Sequence, residues 1–351
     1  MMKRTVALLL LFSLLLAGCT GTREPEKKQY TATFLTLFDT ITSIVGRAES
    51  EQAHMEKAQA IHDELLVLHQ LFDIYNDYEG LNNLKTVNDN AGISPVQVDR
   101  RILSLLRDCK AYYDLTGGKV NVAMGSVLKL WHDARTDGID DPANAKLPDW
   151  DALTAAAKHV DLNAVKIDEA ASTVFISDPE VRLDVGAIAK GWALQRVCET
   201  APGGLLISVG GNVCATGPKD ETGVPWVVGI QDPDGGDSYL HTLNVTHGSV
   251  VTSGDYQRAY VAAGRLYHHI IDPATLFPSE YWRSVTIVCP DSGLADALST
   301  ALFLLPLAEG QALLERCNAE AMWVDANSNI FYSENFQALI RIVVSKIGDQ
   351  N

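Results

Sequence analysis

The chain has 351 residues, of which 47% are hydrophobic and 21% are charged, a composition typical of a globular protein rather than a disordered one. Lys and Arg number 28 against 44 Asp and Glu, so the formal net charge is −16, and the sequence contains no long run of basic residues. Because nucleic-acid backbones are bound by such runs, we expect no nucleic acid among the partners of this protein.

The first 19 residues have the features of an export signal. A short basic start, MMKR, precedes an apolar segment at 5–18 that is too short to span a bilayer comfortably, and this segment ends in LAGC at 16–19. The ending resembles a bacterial lipobox, whose cysteine is lipidated and becomes the mature N-terminus; the alternative is an ordinary export signal with Cys19 present by chance. We predict a lipoprotein signal peptide, with Cys19 anchoring the chain to the bacterial cell membrane, outside the cytoplasm.

Residues 20–30 are polar and contain a proline, which predicts a flexible tether before a single domain at 31–351. The other five cysteines show no CxxC spacing, so neither a disulfide framework nor a zinc site is indicated. They lie at positions 109, 198, 214, 289 and 317, and we interpret most of them as small buried hydrophobic residues.

The spacing of apolar residues separates predicted helices from predicted strands. In chain order these are a strand-like segment at 31–47, a helix at 50–72, a turn-rich stretch at 73–84, a helix at 99–115, a helix at 120–135, an exposed loop at 136–150, a short helix at 151–159, a strand pair at 160–177, a strand leading into a helix at 181–199, a strand with a glycine break at 205–217, a strand-rich region at 225–288, a helical pair at 294–317 and short strands after it. Strands and helices segregated in this way favour the α+β class over a regular βαβ series.

Two glycine-containing stretches are candidates for ligand contact. In LDVGAIAKGWA at 183–193, a strand–glycine–helix junction would present main-chain N–H groups to an anion, and Lys190 would add a charge. The alternative is that the glycines serve packing and that the lysine is merely exposed. This stretch alone does not favour the anion site over that alternative. In SVGGNVCATG at 208–217, the glycines permit either close approach to a ligand or a structural break, and the structural interpretation is favoured.

The apolar run at 294–305 contains Asp296 and Thr300, four residues apart and therefore on one face of a helix. Burying an unpaired carboxylate is unfavourable, and a hard cation such as Mg²⁺, with oxygen ligands, would explain its presence. The alternative is that Asp296 lies in the N-terminal cap region and that the hydroxyl of Thr300 bonds back to the helix backbone.

The stretch YHHIIDPATLFP at 267–278 contains two of the nine histidines, next to each other. It follows a predicted hairpin that turns at 263–264, and alternation along a strand places His268 and His269 on opposite faces, which disfavours a shared metal. One histidine could act as an acid or base beside the turn at Asp272; a purely structural histidine is the alternative.

Taken together and in this order, these stretches resemble the FAD:protein FMN transferase family, also called the ApbE family. The resemblance runs from about Phe34 to about Pro306, and its ordered set of motifs is highly specific although each motif alone is weak. The matching motifs are FDT at 38–40, IYN at 74–76, TGG at 116–118, DVGAIAKGWA at 184–193, SVGGNVCATG at 208–217, TSGDYQR at 252–258, HHIIDP at 268–273 and ADALSTALF at 295–303.

The resemblance implies an exported α+β enzyme with a T-fold-like architecture of mixed sheets and packed helices. Such an enzyme would use Mg²⁺ to cleave FAD, release AMP and attach FMN through a phosphoester bond to a Thr or Ser of an acceptor flavoprotein. The acceptor would be a flavin subunit of a membrane redox pump or an exported flavoprotein.

The resemblance also implies roles for individual residues. Asp296, Thr300 and the main-chain carbonyl of Ala187 would bind Mg²⁺. The catalytic residues would be His269 and Asp296, and His269 would take the proton of the acceptor hydroxyl. Lys190 would lie near the diphosphate. The full set of expected FAD contacts is Phe38, Tyr75 (stacked on a ring), Lys119, Val120, Asn121, Asp184, Lys190 and Ile271.

Two positions depart from the family pattern. Val120 and Asn121 stand where an aromatic–Asp pair is usual, and Leu276 stands where glycine is usual; both departures would alter contacts with the flavin. The alternatives to a transferase are an exported FAD-binding lipoprotein that carries or scavenges flavin, a FAD pyrophosphatase with water as the acceptor, and a solute-binding lipoprotein without flavin.

Overall fold

The computed structural model describes residues 26–236 and 238–342. The signal peptide and Cys19 lie outside this range, as does the first part of the predicted tether. Within the described residues no helix is both long and apolar enough to cross a membrane.

Helices and strands account for most of the described chain. The strands are β1 Lys28–Phe34, β2 Thr42–Ala48, β3 Val96–Gln97, β4 Val165–Asp168, β5 Thr173–Ile176, β6 Leu205–Val209, β7 Asn212–Ala215, β8 Trp226–Gln231, β9 Tyr239–Val245, β10 Gly248–Gly254, β11 Ala259–Ala262, β12 Arg265–His268, β13 Ser284–Cys289, β14 Glu320–Val324 and β15 Ile330–Tyr332. The α-helices are α1 Glu51–Phe72, α2 Leu84–Asp89, α3 Arg100–Leu115, α4 Gly125–Asp140, α5 Trp150–Ala156, α6 Ala189–Thr200, α7 Ser292–Phe303 and α8 Leu307–Leu314. Short 3₁₀ turns lie at Leu37–Asp39, Pro142–Asn144, Leu162–Ala164 and Phe336–Leu339.

An eight-stranded antiparallel sheet organises the fold. Its strand order is β1-β2-β6-β7-β10-β13-β14-β15. A three-stranded sheet, β3-β5-β4, and the hairpins β8–β9 and β11–β12 lie outside it. Because the large sheet is antiparallel and the helices do not alternate with parallel strands, the predicted α+β class is confirmed.

The two faces of the large sheet are covered by different elements. Helices α1, α6 and α7 pack on one face and form the main hydrophobic core with it, while the β8–β9 hairpin and Phe336 cover the other face. The alternation in β8 shows how the sequence specifies this arrangement, since Trp226, Val228 and Ile230 are buried and the residues between them are exposed.

A third hydrophobic cluster supports the β11–β12 hairpin. Helices α4 and α5 pack under the hairpin and the turn that follows it, with Trp131, Tyr260 and Leu276 among the buried members. The indole Nε1 of Trp131 donates a hydrogen bond to the carbonyl of Leu276 at 2.9 Å. This contact fixes the turn that follows His269.

Several predicted boundaries differ from the observed ones. Strand β1 begins at Lys28, inside the predicted tether, because residues 28–30 pair with the end of β2. Helix α4 continues to Asp140 through the predicted loop, and its Gly138 packs so closely on Tyr260 that an added Cβ would lie 2.6 Å from the ring. Asp and Gly in this segment favour a loop locally, and the tertiary contact overrides that preference.

No strand forms at 181–184, where the sequence predicted one. The segment is instead held by the buried side chain of Asn88, whose amide donates to the carbonyl of Leu183 at 2.9 Å and accepts from its N–H at 2.7 Å. The glycine break at 210–211 is the two-residue turn that joins β6 to β7, with φ of 58° and 89° at the two glycines. The two glycines form this turn and also line the cavity described below, so both interpretations of the motif remain open.

Candidate active site

A cavity of about 1080 Å³ lies between the large sheet, the loop after α1 and the β11–β12 hairpin. This volume is at the upper end of the range for small-molecule sites. Every described residue to which the family resemblance gave a role lines this one cavity: Phe38, Tyr75, Lys119, Val120, Asn121, Asp184, Ala187, Lys190, His269, Ile271, Asp296 and Thr300.

Asp296 is positioned by the crossing of α6 and α7. Its carboxylate accepts a hydrogen bond from Gly191 N at 2.8 Å, and Lys190 Nζ lies 3.7 Å from the same oxygen. A Cβ on Gly191 would stand 2.3 Å from the carbonyl oxygen of Ser292 and 2.4 Å from the Cβ of Asp296, so only glycine allows the two helices to approach this closely. Asp296 is 4% exposed.

Neither structural explanation for Asp296 and Thr300 is observed. The N-cap of α7 is Asp291, which accepts from Leu294 N at 2.8 Å, so Asp296 is not a capping residue. Within the described residues, the hydroxyl of Thr300 forms no hydrogen bond, and neither does the second carboxylate oxygen of Asp296. A carboxylate, a hydroxyl and the carbonyl of Ala187 fit the oxygen-only ligand set of a hard cation such as Mg²⁺.

The cavity offers no histidine-rich metal site. Over residues 26–236 and 238–342, no group of three or more His, Cys, Asp or Glu side chains is arranged to hold a metal ion.

The two adjacent histidines have different environments. His268 uses both ring nitrogens, because Nδ1 accepts from Ile270 N at 3.2 Å and Nε2 donates to the carbonyl of Ser279 at 2.7 Å, and its ring packs edge-on against Phe303. His269 Nδ1 is buried without a partner in the described residues. Burial, followed by the nearby charge of Arg258, lowers the pKa of His269 to about 3. Its imidazole is therefore neutral at physiological pH.

The segment after α3 and the turn after β12 are joined by an ion pair. Lys119 Nζ lies 3.0 Å from Asp272 Oδ1, so its charge is already neutralised by this partner. Val120 is 2% exposed and Ile271 is 5% exposed. Asn121 donates to the carbonyl of Val160 at 2.8 Å and accepts from Ala123 N at 2.9 Å. A carboxylate at 121 could not make the first of these bonds, which gives the Asn at this position a structural reason.

Tyr75 forms an aromatic wall of the cavity. The carboxylate of Asp73 accepts from Tyr75 N at 2.7 Å and fixes the loop that follows α1. The ring of Tyr75 stacks on His132 with a centroid distance of 5.6 Å and an interplanar angle of 30°, and 57% of the residue remains exposed. Partial burial, followed by the charge of Asp184, raises the pKa of Tyr75 to about 12. An open ring face on a fixed aromatic pair suits a stacked heterocycle.

Phe38 enters the cavity from a segment with unusual backbone geometry. Thr36, Phe38 and Asp39 all have left-handed conformations, with φ of 83°, 52° and 54°. Phe38 packs edge-on against His69 at 5.4 Å, and its N–H donates to Nδ1 of that histidine at 3.3 Å. Such strain in residues other than glycine is retained where the surrounding structure requires it, and it is common at functional sites.

Asp184 lies in the cavity wall. Burial raises the pKa of its carboxyl, against the opposing effects of the Gly186 N–H, which donates to Oδ1 at 2.9 Å, and of Arg258. Lys190 lies in the first turn of α6, as the sequence predicted.

Among the lining residues that received no role from the sequence, three bear on the chemistry of the site. His132 and Arg135 lie on α4, and Arg258 follows β10 within the motif TSGDYQR. The contact of His132 with Tyr75 spans 57 positions in sequence, and no local pattern indicates it. The one available signal was Arg258, which belongs to a matched motif.

The comparisons with known proteins agree with this site. The model of the ApbE family matches residues 38–323. The FAD:protein FMN transferase of Treponema pallidum (strain Nichols) is 33% identical over 316 residues, which cover 85% of each chain, and that of Klebsiella pneumoniae (strain 342) is 32% identical over 285 residues, 78% of this chain and 86% of the other. The crystal structure of the ApbE protein from Thermotoga maritima superposes with a TM-score of 0.79 at 29% identity, covering 90% of this chain and 100% of that one.

The fold and the cavity define an α+β enzyme of the transferase class. More specifically, the chain belongs to the ApbE family. The family resemblance noted in the sequence and the architecture that it implied are both confirmed.

Proposed function

We propose that this protein is a Mg²⁺-dependent FAD:protein FMN transferase, which cleaves FAD, releases AMP and leaves FMN on a Thr or Ser of an acceptor flavoprotein. The observation that carries the proposal is the presence, in one cavity, of an unpartnered neutral His269, the pair of Lys190 and Asp296, and the open ring face of Tyr75. The names of the relatives support the same activity.

The side chains account for the chemistry of such a transfer. A new bond would form between the acceptor oxygen and the flavin-side phosphorus, and the bond from that phosphorus to the bridging oxygen would break, so that AMP departs. His269 would take the proton of the hydroxyl, and Lys190 would lie against the diphosphate. Mg²⁺ held by Asp296, Thr300 and the carbonyl of Ala187 would neutralise charge on the phosphates.

The test is a labelling reaction. Full-length protein in detergent is incubated with FAD, MgCl₂ and a flavin-carrier domain that has an acceptor threonine, and the carrier is then weighed by intact-protein mass spectrometry. A mass gain equal to FMN, with free AMP, supports the transferase; a carrier in which valine replaces the acceptor threonine is the control. Retained FAD without labelling would instead indicate a flavin carrier, and AMP without labelling a pyrophosphatase.

We also propose that the protein is exported and held at the membrane by a lipid on Cys19. The support is the signal-like sequence at 1–19. Mass spectrometry of the N-terminal peptide and membrane fractionation test it. Wild-type protein should begin at a lipidated Cys19 and sediment with membranes, whereas Cys19→Ser should lack the lipid; an unprocessed wild-type N-terminus would contradict the anchor.

A further inference from the structure

Three arginines in the cavity wall, Arg135, Arg182 and Arg258, form no ion pair with the described residues, and Arg182 donates to the main-chain carbonyls of Pro179 and Val181. Other cations in the wall are neutralised, Lys119 by Asp272 and Lys129 by Asp133. In a chain with a net charge of −16, the two guanidinium groups of Arg135 and Arg258, which form no close ion pair, are suited to an anionic ligand.

Both arginines line the same cavity as Tyr75 and His269, and their charges act on these groups. Burial, followed by the charge of Arg258, lowers the pKa of Arg135, so the two side chains are within interaction range of each other. Both also act on the ring hydroxyl of Tyr75 and on the imidazole of His269. They therefore lie within range of both the aromatic wall and the proton acceptor.

Arg135 is also part of the aromatic wall. Its Nη2 donates to His132 Nδ1 at 3.0 Å, and His132 in turn stacks on Tyr75. Because a guanidinium is always protonated and only donates, this bond keeps Nδ1 of His132 as an acceptor. A guanidinium has five N–H groups, so donors remain for a ligand in the cavity.

We propose that Arg135 and Arg258 bind the flavin-side phosphate, the one that stays with FMN, and thereby select phosphorylated flavins over riboflavin. This inference rests on the proposed function. If a flavin ring stacks on Tyr75 and its diphosphate lies near His269 and Lys190, the flavin-side phosphate would lie between them, in the cavity that both arginines line. Arg135 would connect the two contacts, since it supports the ring wall through His132 and binds the phosphate directly.

The test compares FMN with riboflavin, which differ by one phosphate. Dissociation constants are measured by flavin fluorescence with full-length protein in MgCl₂. Wild type should bind FMN at least about 10-fold more tightly than riboflavin, since charge-assisted hydrogen bonds are the strong ones. Arg258→Gln should remove most of this preference and leave riboflavin binding unchanged. Arg135→Gln should remove it as well, with a smaller loss for riboflavin because His132 is released.

Two controls separate the phosphate contact from other effects. Tyr75→Leu should weaken both flavins by the same factor and keep the preference. Lys158→Gln, which removes one positive charge outside the cavity, should leave both constants unchanged. Arg258→Lys and Arg135→Lys keep the charge and the fold and should show an intermediate preference; far-UV circular dichroism checks each variant.

The inference is overturned if wild type does not prefer FMN, if both Gln variants keep the wild-type preference, or if riboflavin weakens as much as FMN in Arg258→Gln. These outcomes are independent of the labelling reaction. If the protein labels no carrier but the Gln variants lose the FMN preference, the result contradicts the proposed transferase and supports the phosphate site. If the protein labels the carrier but the Gln variants keep the FMN preference, the result supports the transferase and contradicts the phosphate site.

Discussion

Lys119 Nζ lies 3.0 and 3.1 Å from the two carboxylate oxygens of Asp272, a residue 153 positions further along the chain. The pair is largely buried, with side-chain exposures of 23% and 10%. Asp272 Oδ1 also accepts from Ala274 N at 2.9 Å and so closes the turn after β12. The ion pair thus ties the glycine loop after α3 to the segment that contains His269.

Removing the carboxylate of this pair should destabilise the fold. Asp272→Ala leaves a largely buried ammonium without a partner, which we expect to lower the free energy of unfolding by about 3 kcal/mol. The double variant Lys119→Met/Asp272→Leu leaves no charge unpaired and should regain part of that loss. Urea denaturation of wild type, Lys119→Met, Asp272→Leu and the double variant measures the coupling, and a loss in the double variant equal to the sum of the two single losses would contradict it.

Asp296 should be essential for a Mg²⁺-dependent reaction. Asp296→Asn still accepts the Gly191 N–H but has no negative charge, so the fold should remain while Mg²⁺-dependent AMP release falls by about 100-fold or more. Asp291→Asn is the matched control on the same helix, because asparagine is an equally good N-cap and should retain the activity. If Asp296→Asn keeps the wild-type response to added MgCl₂, the ligand assignment is wrong.

The fold was predictable where its information is local. Helix α1 could be located from its apolar spacing, and its N-cap Ser50 accepts from Ala53 N at 3.1 Å as such a start requires. The β11–β12 hairpin turns at 263–264, as expected, with φ of 49° at Ala263 and 78° at Gly264. The last turn of α4 was missed because packing of Gly138 on Tyr260, not helix propensity, maintains it.

The sequence predicted the site residues that lie in matched motifs, but it did not predict the contacts between these residues and other parts of the chain. The resemblance named residues that the fold brings into one cavity, although their sequence positions range from 38 to 300. It gave no role to His132 and Arg135, because their importance arises from a contact with Tyr75 on a distant loop. Ordered motifs identify the residues that match the family, whereas contacts between a motif and a helix outside the motifs can be seen only in the fold.

His269 should be needed for transfer and not for flavin binding. His269→Ala removes the proton acceptor, so labelling of the carrier should fall by about 100-fold to 10,000-fold, a range typical for loss of a general base. The dissociation constant for FAD should change by less than about threefold, because the phosphate contacts remain. His159→Ala, outside the cavity, should label normally. Unchanged labelling by His269→Ala would show that another group accepts the proton.

The depressed pKa of His269 has a consequence for stability. Its folded pKa is about 3, whereas an unfolded histidine titrates near 6.5, so between these values the unfolded chain binds a proton that the folded one does not. Wild type therefore loses free energy of unfolding as the pH falls below about 6.5, by up to about 2 kcal/mol at about pH 5. His269→Gln removes this effect. Urea titrations should therefore show that the free energy of unfolding of the variant, relative to that of wild type, is higher at pH 5 than at pH 8. An equal difference at both values would contradict a buried neutral imidazole.

Leu276 stands where the family usually has glycine, and it adopts a glycine-like conformation with φ of 64° while only 8% exposed. A left-handed residue with a Cβ costs about 1–2 kcal/mol, and burial of the leucine side chain offsets this. Leu276→Ala removes the buried leucine side chain and keeps the backbone strain. Leu276→Gly also removes the buried side chain, but it relieves the strain. Glycine should therefore be more stable than alanine at 276 by about 1 kcal/mol, the reverse of the order inside a helix.

Leu302, fully buried in α7, is the matched control for this comparison. There alanine should be more stable than glycine, because the backbone is helical and the only difference is helix propensity. Urea denaturation of the four variants gives both differences under one set of conditions. The same order at the two sites, with alanine ahead, would mean that the turn at 276 rearranges when the leucine is removed. The expected inversion would show instead that the hydrogen bond from Trp131 and the packing around it hold the turn in a glycine conformation whatever residue occupies it.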